Sequence, residues 1–81
     1  MDERITNIIE ALSELIDDNT VPRNIKSRVE SIITTLKDEK QEQSIKINKA
    51  LSEIDEISDD ANIQAFTRTQ IWNIASMLEM L

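Results

Sequence analysis

Ile5-Thr6-Asn7-Ile8-Ile9-Glu10-Ala11-Leu12-Ser13-Glu14-Leu15-Ile16, followed by the turn Asp17-Asp18-Asn19-Thr20-Val21-Pro22, carries the pattern of a helical hairpin. Its apolar residues recur at steps of three and four, which places them on one face of a helix with 3.6 residues per turn. Asp2 stands where an N-cap is wanted. Asp17-Asp18-Asn19 should end the helix, with Asn19 taking the left-handed conformation that glycine supplies in other chains. Thr20-Val21-Pro22 then opens a second helix. Thr20 is a capping side chain, and proline suits a first turn, where its missing N–H is not needed. Asp17 and Asp18 also sit where the positive end of the new helix favours them.

Outward from this hairpin the pattern continues. Ile25, Val29, Ile32, Ile33 and Leu36 form the second stripe. Residues 37–44 are wholly polar and read as the connection, although a third helix could begin as early as Glu39, and Asp38 and Gln41 have the spacing of a capping box. Ile47, Ala50, Leu51, Ile54 and Ile57 make the third stripe. Asp59-Asp60-Ala61-Asn62 is the last turn, and a fourth helix runs from about Ile63 with Ile71, Ile74, Ala75 and Leu78 on its main face.

A shift of 42 residues lays the second hairpin on the first. Ile5 meets Ile47, Ile8 meets Ala50, Leu12 meets Ile54 and Leu15 meets Ile57. Asp17-Asp18 meets Asp59-Asp60, Thr20 meets Asn62, and Val21 meets Ile63. Amphipathic helices match one another by period alone, so the weight lies in the shared turn of two acids, a capping residue and a β-branched residue. A helical hairpin of this length falls in the period range of HEAT-like repeats. Two such units are too few for a solenoid but can close on each other. The expected fold is therefore all-α: an antiparallel four-helix bundle made from a duplicated helical hairpin. It forms one domain over residues 1–81, with hairpin one at about 1–40 and hairpin two at about 41–81.

Composition points the same way. The chain has 81 residues, no glycine and one proline, too few turn formers for a sheet protein. Without cysteine or histidine it lacks disulfides and the preferred zinc ligands. The start Met1-Asp2-Glu3-Arg4 has no basic, then apolar, leader, and no apolar run approaches the ~20 residues of a bilayer span. A cytoplasmic protein without a membrane partner is expected. With 9 Lys+Arg against 16 Asp+Glu, the formal charge is -7, which disfavours direct nucleic-acid binding.

The same inventory removes most catalysis. Triads lack a histidine base, phosphate-binding loops lack glycine, and di-iron bundle sites lack their histidines. No catalytic residue, cofactor or metal ligand is expected, and the chain reads as a non-enzyme. Glu10 with Glu14, and Glu53 with Glu56 beside Asp55, Asp59 and Asp60, read as solvated faces. The alternative for residues 53–60 is a weakly held divalent ion.

Two groups of residues suggest an interaction. Under the 42-residue shift Trp72 falls on Glu30 and Phe66 on Asn24, so both aromatics lie off the shared core stripe. With Met77, Met80 and Leu81 they make the fourth helix apolar on more than one side, a composition of protein interfaces. The expected partner is an unidentified protein or a second copy of the chain; the competing reading has Trp72 covering a seam between helices. Arg23, Lys26, Arg28 and Arg68 form a candidate basic patch, which would suit an accessory factor of a ribonucleoprotein. Otherwise they pair with Asp17, Asp18, Asp59 and Asp60, at about 0–1 kcal/mol per exposed pair.

The stretches Asp18-Asn19-Thr20-Val21-Pro22-Arg23-Asn24, Leu51-Ser52-Glu53-Ile54-Asp55-Glu56-Ile57 and Arg68-Thr69-Gln70-Ile71-Trp72-Asn73-Ile74 resemble an archaeal family of uncharacterised small all-helical proteins. The resemblance covers nearly the whole chain. It implies an all-helical fold and archaeal origin, and carries no assigned activity. It also implies a second proline at the start of the fourth helix, where this chain has Gln64, the counterpart of Pro22.

Overall fold

The apolar stripes become four helices in the computed structural model, which describes residues 2–81: α1 (Glu3–Asp17), α2 (Arg23–Lys37), α3 (Gln43–Ser58) and α4 (Ala65–Glu79). The all-α expectation holds, and no strand occurs among the described residues. Of the Met1-Asp2-Glu3-Arg4 start, Met1 lies outside them. Among the described residues no helix is long and apolar enough to cross a membrane.

Asp2 caps α1 as expected: its Oδ1 accepts the Arg4 N–H at 2.8 Å, filling one of the vacancies at the helix start. The turns are built differently from the sequence reading. No described residue takes a positive φ, so Asn19 does not adopt the left-handed conformation. The three connections share another device. Asp18 Oδ1 accepts the Thr20 N–H, Asp38 Oδ1 the Lys40 N–H, and Asp60 Oδ1 the Asn62 N–H, at 2.8, 3.0 and 2.8 Å. Each aspartate thus closes a turn on its own side chain.

Thr20 and Asn62 are therefore donors to the preceding aspartate, and neither caps a helix. The N-cap positions of α2 and α4 are Pro22 and Gln64, without side-chain caps. Asp38 ends α2, so the Asp38–Gln41 capping box does not form. Ile63 lies in the last turn, buried, two residues ahead of α4.

Each helix packs against its chain neighbours, and α1 packs against α4, closing a ring whose diagonal pairs stay apart. The middle is filled by Leu12, Leu15, Val29, Ile32, Ile54, Ile57, Ile71 and Ile74, with no space for a water molecule among them. Full burial of each such side chain is worth about 1.5–3 kcal/mol. The 42-residue shift carries α2 onto the bounds of α4. It also pairs buried positions from Ile8 with Ala50 through Leu36 with Leu78.

The match fails at the start of α3. Ile47 is only partly buried, and Lys46 occupies the core position instead. Its apolar stem lies inside while Nζ donates to the Leu36 carbonyl at 3.2 Å, capping the end of α2. Ile9, Ile16, Ile33, Leu51 and Ala75 pack on the edge of the core.

Candidate interaction surface on the second hairpin

Four large apolar side chains are exposed among the described residues: Ile45 (45%), Phe66 (69%), Trp72 (57%) and Met80 (80%). All four belong to the second hairpin, and three belong to α4 or its C-cap. The first hairpin has its described large apolar residues buried or, at Ile9, Ile16 and Ile33, half-buried. The second also has the weaker core, with Ala50 and Thr67 where the first has Ile8 and Ile25.

The expected residues do not form one patch. Phe66 and Trp72 are six positions apart, hence ~120° apart around the helix. Arg68, four residues before Trp72, bonds the end of α3, so this flank turns towards α3. Phe66, Met77 and Met80 follow the opposite flank. There Met77 and Met80 line a depression of about 150 Å³ with Arg4, Asn7 and Ile8 of α1. Met77 also lines an adjoining depression of about 170 Å³ with Ala11, Glu14, Gln70, Asn73 and Ile74. Together they make a groove along the α1–α4 seam. Met77 and Leu81 are partly buried against the core and contribute less free surface.

The candidate basic patch is divided. Arg28 forms an ion pair with Glu56 of α3. Lys26, two residues earlier, lies on the other flank of α2, where its charge reaches Asp18. Arg68 donates from Nε to the Ser58 carbonyl and from Nη2 to the Asp60 carbonyl, at 2.9 and 3.0 Å. It is a clamp on the α3–α4 turn. Arg23 is exposed at the start of α2. The expected pairing of these bases with aspartate carboxylates does not occur: the ion pairs among the described residues are Arg4–Asp2 and Arg28–Glu56.

Charge perturbations are local. The Arg4 guanidinium and backbone N–H hold the Asp2 carboxyl below its ordinary value. The Thr20 hydroxyl and N–H, aided by Lys26, do the same for Asp18. No group of three or more His, Cys, Asp or Glu capable of holding a metal occurs among the described residues.

Sequence reasoning passed over Ile45 and Gln70. Ile45 precedes the true stripe of Lys46, Ala50, Ile54 and Ile57, and taking Ile47 as the stripe's start concealed it. Gln70 reads as a surface amide, yet its Oε1 is buried without a hydrogen-bond partner. The signal was available in the 42-residue register, which sets Gln70 on Arg28.

Comparison with known proteins covers the whole chain. Residues 1–81 match UPF0147, described as an uncharacterised protein family. The UPF0147 protein PF0239 of Pyrococcus furiosus is 37% identical over 82 residues, covering 100% of this chain and 88% of its own. The UPF0147 protein MJ1419 of Methanocaldococcus jannaschii is 40% identical over 78 residues, covering 96% and 84%. The crystal structure of an unknown-function protein, MMP1188, superposes with a TM-score of 0.91 at 40% identity, covering 96% of this chain and 89% of that one.

Proposed function

We propose that this chain, which belongs to the uncharacterised protein family UPF0147, is a non-catalytic helical module that docks a protein partner, or a second copy of itself, through α4. The observation that carries this reading is the placement of the exposed Phe66, Trp72 and Met80 on α4 and its C-cap. Aromatic and methionine side chains are enriched at interfaces because they offer large, adaptable apolar area. The cysteine-free composition fits work in a reducing compartment, the cytoplasm. The ribonucleoprotein reading has less support, because Arg28 and Arg68 are engaged within the chain and Lys26 lies on another flank.

Site-specific photo-crosslinking tests the reading. A crosslinker replaces Phe66, Trp72 or Met80 in turn, and, as controls, Asn24 and Glu30, which occupy the Phe66 and Trp72 positions of the first hairpin. In an archaeal extract the α4 positions should give discrete protein adducts that excess unlabelled chain competes away. Equal labelling from both hairpins would overturn the proposal. Sedimentation of the purified chain separates self-association from a different partner.

A further inference from the structure

The 42-residue relation exchanges α1 with α3 and α2 with α4, so the α2–α3 seam corresponds to the α4–α1 seam. Across the first, Arg28 pairs with Glu56. The corresponding residues of the second are Gln70 and Glu14, which line one depression. Glutamate is kept and the cation is missing. Glu14 has no ion-pair partner among the described residues, and Gln70 Oε1 is their one buried side-chain acceptor without a donor. A buried acceptor left without its hydrogen bond is destabilising. Glu14, exposed at the rim of the depression, is the group that calls for a cation from outside, while the Gln70 Oε1 lies beneath it.

The walls of the groove say what brings that cation. On α1, exposed Glu3, Glu10, Glu14 and Asp17 are spaced by seven, four and three residues and make an acidic stripe, of which Glu14 lines the groove and the others lie further out on the solvent face. Arg4 is the exception, and it is bonded to Asp2. The α4 lip carries Phe66, Met77 and Met80 and no charge; the two charged residues of α4, Arg68 and Glu79, follow the flank towards α3. An apolar stripe beside an acidic stripe complements a helix whose apolar face is flanked by bases. A second copy fits poorly, since each chain carries a net charge of -7.

We propose that the α1–α4 groove receives a basic amphipathic helix of a partner protein, with one Arg or Lys seated on Glu14. This rests on the reading of α4 as a docking element and specifies which flank is used and by what.

The test uses the full chain and a fluorescently labelled amphipathic Leu/Lys/Arg peptide of about 18 residues, ~27 Å as a helix. Binding is read by anisotropy near ~0.1 M salt, where long-range charge effects are screened. Glu10→Gln with Glu14→Gln should weaken binding by about tenfold, and Glu53→Gln with Asp55→Asn, an equal change of net charge on α3, by less than about twofold. Met80→Asp should weaken it comparably to the first pair. Gln70→Arg, which supplies the missing partner of Glu14 from within the chain, should block the peptide while leaving the helical circular dichroism unchanged.

Equal weakening by both neutralised pairs would mean bulk charge attraction and would overturn the proposal. So would a peptide that does not bind, or one displaced by Trp72→Ala but indifferent to Met80→Asp; the latter leaves docking through α4 standing on its other flank. Self-association abolished by Met80→Asp and untouched by the peptide would assign the groove to a second copy instead. Failure of docking altogether is read separately, in the crosslinking from α4.

Discussion

Arg28 of α2 and Glu56 of α3 are joined by an ion pair across their seam, while Gln70 and Glu14, in the matching places between α4 and α1, have no such bond. The two seams of a near-symmetric ring are thereby made unequal. The first is bridged by side chains of the protein, and the second has an unpaired carboxylate beside a depression that Gln70 also lines.

The ion pair itself contributes modestly. The Arg28 and Glu56 side chains are 37% and 66% exposed, so water and salt screen much of the attraction. A double-mutant cycle with Arg28→Gln and Glu56→Gln should give a coupling of about 0.2–1 kcal/mol, smaller at high salt. Urea unfolding measures it. A coupling several times larger and independent of salt would contradict an exposed pair.

Arg68 should matter more. Its fork holds the Ser58 and Asp60 carbonyls in a partly buried turn, where water replaces it poorly. Arg68→Ala should cost about 1–3 kcal/mol, the range for stranding buried acceptors. Arg68→Lys should recover only part, since one ammonium cannot reproduce a planar two-pronged contact. If both variants unfold at the wild-type urea midpoint, the clamp contributes nothing.

The contrast between these two arginines shows what could be read from the sequence. Periodicity located the stripes, because burial of Leu12, Ile32, Ile54 and Ile74 depends on spacing that the chain states directly. The 42-residue register placed Phe66 and Trp72 off the core, and both are exposed. What periodicity cannot give is the direction of a polar bond. Arg28 and Arg68 look alike in a sequence, yet one meets a carboxylate and the other two backbone carbonyls. The turns differ from their sequence reading for a related reason. Asp18 reads as part of a stop signal, whereas its own side chain closes the turn and removes any need for a left-handed residue. Lys46 escaped notice because residue type was given more weight than position; its stem fits the core while its ammonium finds a helix end.

Asp18 also makes stability depend on acid. Its folded pKa is lowered below 3.8 by the Thr20 hydroxyl and N–H, with help from Lys26. The stabilisation is then fully present above the ordinary carboxyl range and lost as pH falls through the lowered folded value. Asp18→Asn keeps an acceptor for the turn but removes the titration. The wild type should be the more stable at neutral pH, with the difference in denaturation midpoint closing only in strong acid. A difference that stays constant down to the lowest pH would show that the carboxylate charge is not involved.

Lys46 offers a test of why a charged residue holds a core position. It is 8% exposed, and Nζ bonds the Leu36 carbonyl. Lys46→Met keeps most of the stem and loses the cap, so it should cost about 0.5–1.5 kcal/mol, the net worth of one hydrogen bond. Lys46→Ala also removes the apolar stem and should cost more. Equal midpoints for Met and Ala would mean that the stem does not pack. A Met variant more stable than the wild type would mean that burying the ammonium outweighs its bond.

Trp72 reports on the exposed flank directly, being the one tryptophan in the chain. At 57% exposure its indole meets water in the folded state. Its emission should therefore be close to that of the unfolded chain, and acrylamide should quench it readily before denaturant is added. Circular dichroism should then show helix loss over a urea range in which the tryptophan maximum moves little. A large red shift coinciding with helix loss would mean the indole is covered in solution, and covering that weakens on dilution would identify a second copy as what covers it.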